Sequence, residues 1–148
     1  MAKRNASLSA TLSAVYATFL LLGWAAVATR FVWSQLGAVG RFWIIGVSLC
    51  AVLAVASGWL YRGVGWRAAG FAHALLMAII GAVGFFHGAG TLSDKSIAGG
   101  QGPDANPVAG IFYMVALVEA GLGALAIACG IAVMCGLIER QADSAESP

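Results

Sequence analysis

Three polar side chains stand inside long apolar runs of this chain: His73, His87 and Glu119. His73 and His87 are 14 residues apart. At 3.6 residues per turn both rings fall on nearly the same side of a helix, about 21 Å apart along its axis. Between them that side reads His73, Leu76, Met77, Ile80, Gly84, His87. A carboxylate left ionised and alone in hydrocarbon costs several kcal/mol, so Glu119 is expected to be neutral or paired. If its helix enters the bilayer near Gly110, Glu119 lies about 13 Å deep. That places it in the same leaflet as His87, within reach of a hydrogen bond. Such a pair can relay a proton, bind a cation, or orient a quinone or a tetrapyrrole ligand. The plainer alternative is a polar contact that fixes helix register, with the histidines bonded to headgroups, carbonyls or a neighbouring helix.

The His73–His87 spacing resembles that of the di-haem helices of b-type cytochromes, in which paired histidines hold one haem in each leaflet. That resemblance implies haem b, or by extension chlorophyll, as a cofactor, with His73 and His87 as axial ligands. A neutral imidazole nitrogen is a good ligand, and Gly84 on the same side lets a flat ring approach the backbone. Bis-histidine ligation needs a second histidine per haem, and the chain has only these two. A homodimer or a partner subunit would supply the others, whereas single-histidine ligation of chlorophyll or a five-coordinate haem needs none.

These residues must be positioned by membrane helices. The 148-residue chain is 61% hydrophobic and 9% charged, with a mean hydropathy of +0.90. A soluble domain carries about 25% charged residues, so this composition excludes an ordinary soluble fold. Charged residues divide the sequence into apolar runs near or above the ~20 residues of a spanning helix. The runs predict helices over about 9–29, 42–61, 68–90 and 108–138, and hence an all-α integral membrane protein with a four-helix transmembrane bundle in one domain. A polar loop is expected over 88–107, with Asp94, Lys95, Asp104 and Asn106-Pro107, and a disordered tail over 141–148. Trp43 and Trp59, about 24 Å apart at the helical rise, suit the two headgroup boundaries. Phe31, Val32, Trp33 and Leu36 suit a linker lying in the interface.

An even number of spans puts both termini on one side, with Lys3, Arg4, Arg62, Arg67 and Arg140; the other side has Arg30, Arg41 and Lys95. The excess favours cytoplasmic termini in a bacterial inner membrane and an outward-facing 88–107 loop. The start of the chain has signal-peptide features, Lys3-Arg4 and Ala26-Val27-Ala28. Its long apolar run with Trp24, followed by Arg30, favours an uncleaved helix. Small residues recur at every fourth position of the last helix, Ala116, Ala120, Ala124, Ala128, Ala132 and Gly136, and of the third, Gly70, Ala74, Ala78 and Ala82. Lipid supplies no hydrophobic drive between helices, so such rows are expected to be packing seams.

Cys50, Cys129 and Cys135 show no metal-type spacing and read as small apolar side chains. The sequence has no phosphate loop, no nucleophile–base arrangement and no metal motif, and its net charge of +2 gives no case for nucleic acid. The expected partners are the lipid bilayer and either other membrane subunits or further copies of the chain. The expected function is that of a small non-catalytic subunit of a larger membrane complex in respiratory or photosynthetic electron transfer. Two alternatives stand beside it: a haem- or chlorophyll-binding electron carrier using His73 and His87, and a small oligomeric transporter or channel around Glu119.

Overall fold

The computed structural model describes residues 2–27, 38–93 and 107–145, and these are helical except at Gly65 and Trp66. The elements are α1 (Ala2–Val27), α2 (Ala38–Val64), α3 (Arg67–Ser93) and α4 (Pro107–Ala145). All four are long and apolar enough to cross a bilayer, over Leu8–Ala26, Ile44–Val64, Arg67–Ser93 and Tyr113–Ala142. The chain is therefore an all-α integral membrane protein, a four-helix bundle whose backbone groups are satisfied within each helix. Proline is confined to Pro103, Pro107 and Pro148. Pro107 opens α4, where its missing N–H is harmless.

α2 passes into α3 through two residues. Gly65 adopts a φ of 73°, the left-handed conformation that closes helices, and its N–H donates to the Tyr61 carbonyl at 2.9 Å. The Trp66 carbonyl then accepts from Ala69 and Gly70 to start α3. So short a link makes the two helices antiparallel neighbours. Between α1 and α2, the Trp24 indole donates to Ser48 Oγ at 2.9 Å, and the Trp59 indole donates to Thr18 Oγ1 at 3.2 Å. The Tyr16 hydroxyl joins α1 to α4 through the Leu122 carbonyl at 2.7 Å. The helices form a closed ring, α1 on α2, α2 on α3, α3 on α4 and α4 on α1, with α3–α4 the most extensive pairing.

Boundaries differ from the sequence expectation in all four helices: α1 begins at Ala2 rather than near residue 9, and α2 spans Ala38–Val64 rather than about 42–61. α3 runs on through residues 88–93, because Thr91 and Ser93 turn their hydroxyls back onto the His87 and Ala89 carbonyls, at 3.0 and 2.9 Å, instead of breaking the helix. α4 continues through 141–145, since Gln141 to Ala145 contains no glycine or proline to stop it. The expected interfacial linker, the polar loop over 94–106 and the last three residues lie outside the described residues.

The α3–α4 interface brings backbone against backbone. A Cβ on Gly81 would lie 2.6 Å from the Gly123 carbonyl oxygen, and one on Gly88 would lie 2.6 Å from that of Ala116. A Cβ on Gly130 would lie 2.8 Å from the Ala74 carbonyl, and one on Gly123 would strike the Phe85 amide. Within the chain, the buried row of α4 follows a line other than the strict four-residue one. Ala116 and Gly136 are buried and Ala120 half-buried, whereas Ala124, Ala128 and Ala132 are exposed. The buried line runs through Gly123, Ala126, Gly130, Val133 and Leu137. A strict four-residue step advances 400°, so it drifts about 40° per step around the helix. Mixed steps of three and four keep a row facing its partner, as in 3-4 packing. In α3 the row holds at Gly70 and Ala74, then passes to Met77, Gly81 and Gly88, leaving Ala78 and Ala82 at its edge.

Gly123→Leu and Ala126→Leu should therefore each cost ~1–3 kcal/mol by overpacking. Ala124→Leu and Ala128→Leu should stay within ~0.5 kcal/mol of the parent. Thermal unfolding in detergent checks this, and equal sensitivity at all four positions would contradict the interface described.

Candidate functional site

The bundle carries two polar centres, and the two histidines serve one each. His73 lies in the half of α3 that α1 and α2 close around. Its ring is wholly buried, with 0% of its surface exposed. Nδ1 lies 2.7 Å from the Ala54 carbonyl of α2. A carbonyl can only accept, so Nδ1 carries the proton. Nε2 lies 2.7 Å from Ser13 Oγ of α1. In the neutral ring Nε2 accepts, and the Ser13 hydroxyl donates to it. One imidazole thus ties three helices together. Gly58 makes room for it, since a Cβ there would lie 2.8 Å from both Cε1 and Nδ1 of the ring.

His87 has the opposite surroundings. Its Nδ1 is hydrogen-bonded to Glu119 Oε2 across the α3–α4 interface at 3.0 Å. The two side chains are 70% and 39% exposed. The pair lies six residues from Ser93, where α3 ends, and twelve from Pro107, where α4 begins. Gly88 sets the approach: a Cβ there would collide with Ala116 and Ala120, whereas one on Gly84 would make ordinary contact, 3.7 Å from the Glu119 carbonyl. The pair therefore sits on the outer flank of the bundle, facing whatever surrounds it.

No known family model, curated protein or solved structure matches the chain. The site is accordingly read from its own chemistry.

A tetrapyrrole bound through His73 does not fit this geometry. Both ring nitrogens are engaged and the ring is enclosed, so no lone pair faces a space that could hold a macrocycle. His87 does fit the donor chemistry. Its Nδ1 is anchored at the Glu119 carboxyl group, an arrangement that orients a histidine ligand. Its Nε2 has no bonded partner among the described residues. The rings of His73 and His87 are separated in role because the helix row that faces the bundle shifts by a residue between them. His73 lies on that row, while His87 stands beside it, next to the buried Gly88.

Sequence reasoning brought His87 and Glu119 within reach but missed Ser13, Gly58 and the Ala54 carbonyl. The available signals were Ser13, a hydroxyl inside the first apolar run, and Gly58, a glycine inside the second.

Ser13→Ala should cost about 1–3 kcal/mol, because it leaves a buried imidazole nitrogen without its donor. Ser57, whose hydroxyl bonds only within α2, should tolerate alanine within ~0.5 kcal/mol. Denaturant titration of the two variants in micelles checks the difference; an unaffected Ser13→Ala would show that the bond to His73 contributes no stability.

Proposed function

We propose that the chain is a small, non-catalytic subunit of a larger membrane assembly, and that its α3–α4 flank at His87 and Glu119 meets a partner. The observation that carries this reading is the exposure of a bonded histidine–glutamate pair at membrane depth. A polar pair facing hydrocarbon is costly. A partner helix with a polar side chain removes that cost, and interhelical hydrogen bonds of this kind contribute about 1–2 kcal/mol in membranes. The polar machinery inside the bundle is spent on holding helices together, which suits a structural role. Assemblies that move electrons between subunits, in respiration or photosynthesis, are the proposed setting.

A second reading is favoured by one feature, the carboxylate-anchored Nδ1 of His87. It makes His87 the one residue here suited to ligate haem or chlorophyll, held between this flank and the partner. When bound, such a group would supply electron transfer. This chain's part would be to hold the imidazole in one tautomer and orientation.

Antiparallel packing brings Lys3 and Arg4 on α1, Arg62 on α2, Arg67 on α3 and Arg140 on α4 to one end of the bundle. This supports an inner-membrane orientation with that end, and both termini, in the cytoplasm.

Purification from the native membrane in mild detergent should give a particle heavier than the chain alone, with defined subunits in fixed ratio. His87→Leu or Glu119→Gln should weaken that association about 5- to 30-fold while the helical circular dichroism of the chain is unchanged. A lone chain at its own mass, or variants that assemble normally, would overturn the subunit reading. A visible absorption band lost in His87→Leu would select the tetrapyrrole reading, and its absence from an intact assembly would remove it.

A reporter fused after Pro148 should behave as cytoplasmic and one inserted at Ser96–Gln101 as external. The inverse pattern would reverse the orientation.

A further inference from the structure

Residues that share a direction on their helix meet different surroundings at the two ends of the bundle. On α3, His87 follows His73 by 14 residues and so points within about 40° of the same direction. His73 is wholly buried against α1 and α2, through Ser13 and the Ala54 carbonyl; His87 is 70% exposed. On α4, Leu137 follows Glu119 by 18 residues, about five whole turns. Leu137 lies in one buried cluster with Ala10 of α1 and Tyr61 of α2; Glu119 is 39% exposed. On α1, Gly23 follows Tyr16 by seven residues, about two turns. The Tyr16 hydroxyl reaches Leu122 of α4, but a Cβ on Gly23 would meet nothing within 4 Å. Toward this end α1 stays joined to α2 by the Trp24–Ser48 bond, and α3 stays on α4 at Gly88 and Ala116. The two helix pairs therefore diverge beyond Tyr16. They leave a cleft that opens toward Val27 of α1 and Ser93 of α3.

One wall of the cleft is polar and the other aromatic. His87 and Glu119 stand on the α3–α4 side. Trp24 follows Ser13 by 11 residues, about three turns, so it faces the same way as the serine that meets His73. It lies about 16 Å beyond Ser13, as His87 lies about 21 Å beyond His73. The half-buried indole and the polar pair thus stand at similar heights on facing walls. We propose that this cleft binds a lipid-soluble quinone, with its ring between Trp24 and the His87–Glu119 pair and its apolar tail leaving between the helix pairs into lipid. A flat ring suits the indole face, and an oxygen at the ring edge suits His87 Nε2. The proton of the pair can stand on either partner. With Glu119 protonated, Nδ1 accepts and Nε2–H donates to a quinone carbonyl; with the proton on Nδ1, Nε2 accepts from a quinol hydroxyl. An acyl chain would fill the cleft but leave the polar pair unmatched at membrane depth. This site rests, like the subunit reading, on the exposed His87–Glu119 pair, but it needs no second chain.

The test is uptake of decylubiquinone by the full chain, purified alone in micelles. Quinone co-eluting with the chain in gel filtration is extracted and quantified, less that carried by empty micelles. Uptake should saturate. His87→Leu should weaken it about tenfold and Trp24→Leu about fivefold. Trp24→Phe, which keeps a ring, and Phe86→Leu, an exposed residue turned about 100° from His87, should stay near the native chain. Unchanged thermal unfolding would show that the variants fold. Uptake that does not saturate, or that survives both His87→Leu and Trp24→Leu, would overturn the proposal. Equal displacement by decylbenzene, which has a ring and tail but no oxygen, would assign the cleft to apolar molecules in general and overturn it too. A chain that joins its assembly normally yet takes up no quinone when alone would remove this site and leave the subunit reading; a chain found without partners that takes up quinone would do the reverse.

Discussion

The backbones of α3 and α4 touch with almost no side chain between them, and the rest of the bundle is arranged around that contact. In lipid the hydrophobic effect does not draw helices together, so association depends on dispersion contacts and interhelical hydrogen bonds. Dispersion attraction falls off steeply with separation, and only glycine and alanine let two helices approach this closely. Gly81, Gly84 and Gly88 on one side and Ala116, Ala120, Gly123 and Gly130 on the other supply that approach. Replacing Gly81, Gly88, Gly123 or Gly130 puts a methyl group into a neighbouring backbone, so this constraint is steric as well as energetic.

The remaining helices are attached by polar bonds as well as by close contacts at Gly58 and Gly70. α1 and α2 are joined to α3 through the Ser13–His73–Ala54 link, and to each other through Trp24–Ser48 and Trp59–Thr18. The buried rows around these bonds are mostly alanine, with Met77, Val133 and Leu137 as the larger fillers. A hydrogen bond in such surroundings has no water competing for its partners, so it fixes register where apolar packing alone would allow sliding. The same close approach of α3 and α4 that holds the bundle also brings His87 against Glu119. The enclosed His73 link thus belongs to the meeting of α1, α2 and α3, and the His87–Glu119 pair to the rim of the α3–α4 interface.

Much of this was legible in the sequence. Uninterrupted apolar runs bounded by Arg30, Arg41, Arg62 and Arg67 disclose the spans because a bilayer tolerates so few charges. The reach of His87 to Glu119 follows from counting helical rise on two antiparallel spans. The burial of His73 was not legible, because it depends on Ser13 and the Ala54 carbonyl, which are 60 and 19 residues away. No single-helix periodicity encodes such neighbours. The row of α4 that packs within the chain was not legible for a related reason. Alanines at Ala124, Ala128 and Ala132 look the same as those at the interface when only one helix is considered. The partner's glycines decide which side is covered. The helical continuation to Ser93 and to Ala145 rests on local hydroxyl bonds and on the lack of a breaker, both weak signals beside a fall in hydrophobicity.

The central claim is that glycine-mediated contact between α3 and α4 holds the His87 imidazole against the Glu119 carboxylate in the membrane. Solid-state NMR of the chain in lipid bilayers, with ¹⁵N-labelled His87 and a ¹³C-labelled Glu119 carboxyl, tests it directly. The account predicts a dipolar coupling between Nδ1 and the carboxyl carbon consistent with the 3.0 Å bond, and its loss in Gly123→Leu. No coupling in the native chain, or an undiminished coupling in Gly123→Leu, would contradict it.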